Sequence, residues 1–154
     1  DINSHPHGNK RVSIVHNGII ENYKQIKDFL IEEGYSFVSE TDTETVAKLL
    51  DYYYVDDPVD TIIKVLSEIK GSYALGIMFR DYPDTVFAVR KECPLIVGVG
   101  ENENFLASDV PAIIKYTRDY YLLEANEIAV VKKDSVQIYD MHKEPVHKEI
   151  NTAD

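Results

Sequence analysis

The sequence predicts an α+β domain whose sheets are largely antiparallel, and three observations support this class. Apolar residues recur at helical spacing in the first half of the chain, whereas short apolar runs bounded by turn residues fill the second half. Short, hairpin-like connections join these runs, which suits antiparallel neighbours better than a doubly wound parallel sheet. No GxGxxG or P-loop motif occurs between a strand and a helix, which argues against the common nucleotide-binding folds.

The first predicted element after a loop over residues 1–9 is a short strand. Residues 11–16 alternate in polarity and place Val12, Ile14 and His16 on one face. Asn17-Gly18 follows, and this dipeptide after a strand predicts a tight turn with positive φ.

Three helices are predicted next. The first runs over 19–34, where Ile19, Ile26 and Leu30 fall on one stripe and Gly34 is the expected C′ stop. Residues 35–39 are predicted to form a brief strand. The second helix covers about 42–54 and begins with a capping box, in which Thr41 and Glu44 bond each other's amides. The third begins at Asp57-Pro58 and stops at Gly71.

Strands fill most of the remaining chain. Turn residues separate runs of high strand propensity, which predict strands over 72–79, 85–90, 95–99, 104–107, 120–123, 127–132 and 135–140. A short helix over 110–115 interrupts them. Residues 141–154 are polar and are predicted to be a tail or linker.

Composition excludes several broad classes. The 154 residues carry 16 basic and 27 acidic side chains, giving a net charge of −11, and 44% are hydrophobic. An acidic surface repels phosphate backbones and anionic lipid, so we expect no nucleic-acid partner and no membrane partner. Cys93 is the single cysteine, which excludes an internal disulfide and fits a cytoplasmic location.

A few residues carry groups suited to chemistry. Asn17 and Gly18 could direct a carboxamide and a backbone N–H at a developing oxyanion. Asp42, in the first turn of a helix, could hold a cationic group such as an α-ammonium. By spacing alone, a plain β-turn and ordinary helix-start electrostatics are the better interpretations. His5, His7 and His16 have no carboxylate or cysteine at ligand spacing, so no metal and no cofactor are expected.

Two longer segments carry a family resemblance. Residues 15–23 and 37–44 closely resemble the glutaminase domain of the glutamine–fructose-6-phosphate aminotransferase (isomerising) family. Further segments agree in order over nearly the whole chain, at 3–7, 71–74, 94–100, 104–109 and 123–129. His-Asn-Gly and Thr-Asp-Thr-Glu also occur in related class II amidotransferases, but the string His-Asn-Gly-Ile-Ile-Glu-Asn favours the sugar enzymes.

The resemblance implies a fold and residue roles. The fold is that of N-terminal nucleophile hydrolases, a four-layer α/β/β/α sandwich. Asn17 and Gly18 match the oxyanion-hole pair, and Asp42 matches the carboxylate that binds the α-amino group of L-glutamine. His16, beside the pair, is expected to have a supporting role, whereas His5 and His7 match a loop motif without an assigned role.

Two departures from the family pattern also matter. The family's nucleophile is an N-terminal cysteine, but residue 1 is Asp, and the family's Thr-Arg-Trp-Ala-Thr-His-Gly segment is absent. We therefore expect an internal fragment, with a partial amidotransferase domain over 1–140 and a linker towards an absent sugar isomerase domain over 141–154. Without the nucleophile the isolated chain should show no measurable glutaminase activity, and an uncovered sheet edge should favour association.

The expected function is therefore that of an enzyme fragment. The parent would transfer the amide nitrogen of glutamine to fructose 6-phosphate, giving glucosamine 6-phosphate, and would be a cytoplasmic homo-oligomer. Two alternatives stay open at this point. One is another class II amidotransferase, of the purine, glutamate or asparagine synthesis type, and the other is a non-catalytic binding module of the same fold.

Overall fold

A computed structural model describes residues 7–8, 11–39 and 41–154. Within these residues the helices are α1 (Tyr23–Glu32), α2 (Asp42–Tyr53), α3 (Pro58–Leu66) and α4 (Val110–Ile113). The strands are β1 (His7–Gly8), β2 (Val12–Ile20), β3 (Gly71–Phe79), β4 (Thr85–Lys91), β5 (Ile96–Val99), β6 (Asn104–Ala107), β7 (Asp119–Leu122), β8 (Ile128–Lys132), β9 (Ser135–Tyr139), β10 (Pro145–Val146) and β11 (Asn151–Thr152).

The strands form two antiparallel sheets. The larger has seven strands in the order β1-β2-β3-β4-β8-β9-β10, and the smaller has four in the order β11-β7-β5-β6. β2 and β3 form the longest pairing, from Val12 opposite Phe79 to Ile20 opposite Gly71. The predicted α+β class with antiparallel sheets is therefore confirmed.

Side-chain alternation in the large sheet produces two separate cores. One face of β3 carries Leu75, Ile77 and Phe79, which pack with α1, α2 and α3 in what we call the helix-side core. The other face packs against the small sheet through what we call the inter-sheet core, which comprises Ala74, Ala88, Leu95, Val97, Leu123, Ala129, Val131 and Ile138. Alanines on the large sheet let the two sheets approach closely.

The fourth layer lies on the outer face of the small sheet. Ile113 of α4 packs there against Gly98, where an added Cβ would lie 3.3 Å from its side chain. Gly98 follows Val97, which points into the inter-sheet core, so the two residues face opposite sides of β5. The order of layers is thus helix, sheet, sheet, helix, as the resemblance implied.

The first helix is shorter than predicted. It begins at Tyr23 instead of Ile19, because Ile19 and Ile20 continue β2, and Ile19 is 66% exposed. Its end follows the prediction: Gly34 has a φ of +100°, and the Gly34 N–H donates to the Ile31 carbonyl at 3.0 Å. Ile26 and Leu30 are buried, as the stripe indicated.

The predicted bounds of the second helix agree with those of α2 to within one residue. For the third helix, the predicted start is confirmed. Asp57 accepts a hydrogen bond from the Val59 amide and Pro58 is the first helical residue of α3. However, α3 ends at Leu66, and Gly71 opens β3 instead of stopping a helix. The predicted strand over 35–39 is wrong, since no strand forms there.

The predicted strands of the second half all form, with ends shifted by a residue or so. Residues 141–154 contribute the short strands β10, paired with β9, and β11, paired with β7. The domain boundary at residue 140 stays a prediction. No helix in the described part of the chain is long and apolar enough to cross a membrane.

Candidate active site

The site is built on the C-terminal half of β2, where consecutive side chains point to opposite faces of the large sheet. His16 lies opposite Leu75 of the helix-side core, and its side chain is buried, with 4% of the residue exposed. Asn17 lies opposite Ala74 of the inter-sheet core and is exposed. Strand alternation thus sends the imidazole towards α2 and the carboxamide towards the second sheet.

The predicted turn at Asn17-Gly18 is wrong, although the positive φ is confirmed. Gly18 has a φ of +108° but stays in the ladder, opposite Tyr73. A Cβ at Gly18 would lie 2.1 Å from the Ser72 carbonyl oxygen, so only glycine fits this close approach of the two backbones. The strand continues because β3 supplies pairing partners as far as Ile20, a long-range contact that overrides the local turn preference.

Asp42 is held at the end of the same strand. It is the first residue of α2, and its Oδ2 accepts a hydrogen bond from the Ile20 N–H at 3.0 Å. Its Oδ1 lies 3.7 Å from Nδ1 of His16, and 21% of the Asp42 side chain is exposed. This carboxylate therefore joins the end of β2 to the start of α2, and part of it remains exposed to solvent.

His16 also joins β2 to the start of α2. Its Nδ1 lies 2.9 Å from the Thr43 hydroxyl oxygen, and Thr43 is fully buried in the first turn of α2. One imidazole nitrogen thus contacts both Thr43 and, at longer range, Asp42. The side chain fixes α2 against β2 at the point where the Asp42 carboxylate emerges.

Glu44 binds other amides than the capping-box pattern predicts. Its amide does donate to the Thr41 hydroxyl at 3.3 Å, as the capping box predicts. Its carboxylate does not return to the Thr41 amide, and instead accepts from the Val38 N–H at 2.9 Å and the Ser39 N–H at 2.7 Å. The Thr-x-x-Glu spacing marked Glu44 as a helix-start carboxylate, but no local pattern indicates which amides it binds.

The environment of Glu44 favours its ionised form. Burial alone would raise the pKa of this carboxyl, but hydrogen bonds from Ser39, Val38 and Lys48 outweigh burial and lower the pKa to about 2. Lys48, one turn later in α2, places its ammonium 3.0 Å from Glu44 Oε2. The group is therefore a paired anion under ordinary conditions.

A cleft of about 430 Å³ lies between the two sheets beside Asn17. Its lining is mainly apolar and includes Ala74, Leu95 and Leu106, with Ser108 at one side. Within the described part of the chain, no hydrogen bond occupies the Asn17 carboxamide. An exposed amide beside an apolar cleft can serve as a neutral donor to a bound group.

The structure brings the predicted site residues together from two sides of one strand. His16 and Asp42 meet on the helix side, and Asn17 faces the cleft, with Gly18 between Asn17 and the end of the strand. The Asp42 carboxylate does not line the cleft itself. His5 lies outside the described residues, and of His7 only the backbone, paired with Ile14 in the sheet, is described.

Chemically, the arrangement offers an anion and a neutral donor near one strand end. The carboxylate suits a cationic group, and the carboxamide suits an oxygen that gains negative charge. Among the described residues, no three His, Cys, Asp or Glu side chains are grouped so that they could hold a metal ion.

The sequence is similar to a known family and to known enzymes. A family profile described as a glutamine amidotransferase domain matches residues 4–115. The chain is 57% identical over 152 residues to the glutamine–fructose-6-phosphate aminotransferase (isomerizing) of Caldanaerobacter subterraneus subsp. tengcongensis, covering 97% of this chain and 25% of that protein. The enzyme of the same name from Clostridium tetani is 50% identical, with the same coverage.

The chain thus spans about a quarter of the length of these curated relatives. Among solved structures, glutamine phosphoribosylpyrophosphate amidotransferase from B. subtilis superposes with a TM-score of 0.74 at 24% identity. That match covers 89% of this chain and 30% of the other. It shows the fold, and the predicted N-terminal nucleophile hydrolase architecture is confirmed.

Proposed function

The chain belongs to the glutamine amidotransferase domain family, and we propose that it is the glutamine-binding part of a glutamine–fructose-6-phosphate aminotransferase (isomerising). The observation that carries the proposal is identity of 57% and 50% to enzymes of that name over nearly the whole chain. The whole protein then releases ammonia from L-glutamine and transfers the nitrogen to fructose 6-phosphate, giving glucosamine 6-phosphate.

Asn17 and Gly18 are proposed to stabilise the oxyanion. Attack on the side-chain amide of glutamine moves negative charge onto its carbonyl oxygen. The exposed Asn17 carboxamide and the Gly18 backbone N–H are neutral donors that need little reorganisation when this charge develops. The crowded backbone at Gly18 supports this role, because it fixes the direction of the adjacent peptide groups.

Asp42 is proposed to bind the α-ammonium of glutamine. Its Oδ2 is held by the Ile20 N–H, while part of the side chain is exposed and can accept a further donor. His16 contributes indirectly, because its buried imidazole contacts Asp42 and Thr43 on the helix side of β2.

The remaining proposals concern the whole protein. Because the relatives are about four times as long, we propose that residues 1–140 belong to the amidotransferase domain and that 141–154 lead towards a sugar isomerase domain. We also propose a cytoplasmic homo-oligomer that uses small-molecule substrates. Light scattering of the full-length protein tests the oligomeric state, and limited proteolysis tests the boundary at residue 140.

The test of the site is glutamine hydrolysis by the full-length protein that carries this chain. Asn17→Ala should lower kcat by about 10²–10³-fold with little change in stability, because an oxyanion donor is lost from an exposed position. Asp42→Asn should instead raise KM for glutamine by about tenfold or more, since a charge-assisted contact to the ammonium is lost. Glutamate release measured against glutamine concentration separates the two effects.

A matched control is Asn151→Ala, which removes an exposed asparagine from β11 in the other sheet and should leave both constants unchanged. Wild-type kcat in Asn17→Ala would contradict the oxyanion role. Wild-type KM in Asp42→Asn would contradict the ammonium role. Absence of glutamate release from the full-length wild type would overturn the function itself.

A further inference from the structure

A buried carboxylate, that of Glu44, binds the segment before α2. Glu44 is 4% exposed, and its carboxylate accepts hydrogen bonds from the Val38 N–H at 2.9 Å, the Ser39 N–H at 2.7 Å and the Ser39 hydroxyl at 2.6 Å. Hydrogen bonds to an ionised acceptor are stronger than neutral ones, and burial protects them from competing water. The conformation of the segment around Val38 and Ser39 therefore depends on Glu44.

Lys48 fixes the same segment from another side. Its ammonium pairs with Glu44 and also donates to the Ser36 carbonyl. The Lys48 ammonium also lies 4.8 Å from the centre of the Phe37 ring. The Lys27 ammonium lies 5.2 Å from the centre of the same ring. These contacts order a segment that has no regular secondary structure and in which Val38 is 95% exposed.

The hydrogen-bond chain leads directly to the first turn of α2. The Ser39 hydroxyl lies 2.9 Å from the Thr41 hydroxyl, and Thr41 caps α2 by accepting from the Glu44 amide. Asp42 lies between Thr41 and Glu44 in the chain. Its backbone is thus flanked by two residues joined to each other and to Ser39.

We propose that Glu44 is a positioning residue for Asp42: it locks the segment before α2 so that the Asp42 carboxylate meets the α-ammonium of glutamine at the end of β2. This inference rests on the proposed function, because it assigns Glu44 a role only through Asp42. Glu44 itself, buried behind the segment, does not touch the substrate.

The alternative is that Glu44 only stabilises α2. Asp51 provides a matched control for that role, because it is another carboxylate of α2 with strong partners. It accepts from Arg11 and from the Tyr35 hydroxyl, both at 2.7 Å, but it lies near the other end of the helix from Asp42. Asp51→Asn should therefore weaken α2 without changing the position of Asp42.

The experiment compares Glu44→Gln with Asp51→Asn in the full-length protein. The probes are glutamine and its analogue without the α-amino group, 4-carbamoylbutanoate, used as a competitive inhibitor. Glu44→Gln cannot accept the same N–H bonds at both oxygens, so KM for glutamine should rise by about tenfold. The inhibition constant of the analogue should change little, because it carries no ammonium for Asp42 to bind.

Further variants make the result decisive. In an Asp42→Asn background, Glu44→Gln should give no additional rise in KM, because the residue it positions is already lost. Ser39→Ala, which removes only the hydrogen bond from the Ser39 hydroxyl to Glu44, should raise KM in the same direction by a smaller factor. It serves in place of Glu44→Gln if circular dichroism shows that this variant does not fold.

Any of four outcomes overturns the inference. Equal losses for glutamine and the analogue, or an equal rise in KM in Asp51→Asn, would mean that Glu44 has a structural role only. An unchanged KM in both Glu44→Gln and Ser39→Ala, with Asp42→Asn still impaired, would leave the proposed function standing and remove Glu44 from it. An unchanged KM in Asp42→Asn would instead refute the ammonium role, and the inference with it.

Discussion

The two faces of β2 differ in how they hold the polar side chains near the end of the strand. On the helix face, the buried His16 side chain lies 2.9 Å from the Thr43 hydroxyl and 3.7 Å from the Asp42 carboxylate, and Asp42 is partly exposed. On the cleft face, the Asn17 carboxamide is exposed beside apolar residues and makes no hydrogen bond within the described part of the chain. The carboxylate proposed to bind the ammonium is thus supported by neighbouring polar groups, whereas the carboxamide proposed as the oxyanion donor is placed by the backbone of β2.

This difference separates stability from activity. Changes on the helix face should reduce stability and substrate affinity together, because the same hydrogen bonds serve both. Changes on the cleft face should reduce the rate with little loss of stability, because an exposed side chain contributes little to folding. The separation can be tested first at Gly18, where the two faces of β2 meet.

Gly18→Ala is expected to have the largest effect, because it disturbs both faces at once. The residue has a φ of +108°, and an added Cβ would lie 2.1 Å from the Ser72 carbonyl oxygen. Strain together with the forced separation of two backbones should cost about 3 kcal/mol or more. Urea unfolding of the variant should show this loss, and glutamate release by the full-length protein should fall with it.

Wild-type stability in Gly18→Ala would show that β2 and β3 can separate freely at this point. The backbone could then not be what places the Asn17 carboxamide, and the account of the cleft face would fail.

Local features of the chain were predictable where their cause is local. The stop at Gly34 and the start of α2 at Thr41 depend on residues within one turn of each other, and both are confirmed. Asn17-Gly18 was misassigned because its extended backbone is imposed by β3, more than fifty residues away in the sequence. Spacing alone provided no reason to place Asp42 beside Ile20, and the family resemblance assigned Asp42 a role without indicating this contact.

The misassignment of Glu44 has a similar cause. A carboxylate three residues after a helix cap has several amides within reach, and the choice depends on the path of the preceding segment. The half-buried Phe37 packs against the helix-side core, and the amides of the next two residues, Val38 and Ser39, donate to Glu44 at the start of the helix. A sequence pattern can predict a helix cap, but it does not predict the conformation of the residues that precede the cap.

The second prediction uses pH to test the helix face. Hydrogen bonds lower the folded-state pKa of Glu44 to about 2, against an ordinary value of 4.5, despite burial, which acts in the opposite direction. A carboxyl group whose pKa is lower in the folded than in the unfolded state stabilises the folded state at pH values above its unfolded-state pKa. This contribution is lost as the pH falls from about 4.5 towards 2. The difference corresponds to roughly 3 kcal/mol.

The measurement is the free energy of unfolding of the wild type and Glu44→Gln across this range. The advantage of the wild type should stay constant from about pH 7 to 5 and shrink by roughly 3 kcal/mol by about pH 2. If the two proteins lose stability in parallel on acidification, the carboxylate is not the anion that holds the helix face together.

The smallest expected effect is that of Gly34→Ala, which isolates backbone strain from crowding. Gly34 has a φ of +100°, similar to that of Gly18, but an added Cβ would meet nothing within 4 Å. The alanine should therefore cost only about 1 kcal/mol, the price of a left-handed conformation with a side chain. Because Gly34 lies on neither face of β2, kcat and KM of the full-length protein should not change. A loss as large as that in Gly18→Ala would mean that torsional strain explains both positions, and the close approach of β2 and β3 would no longer account for the sensitivity of the site.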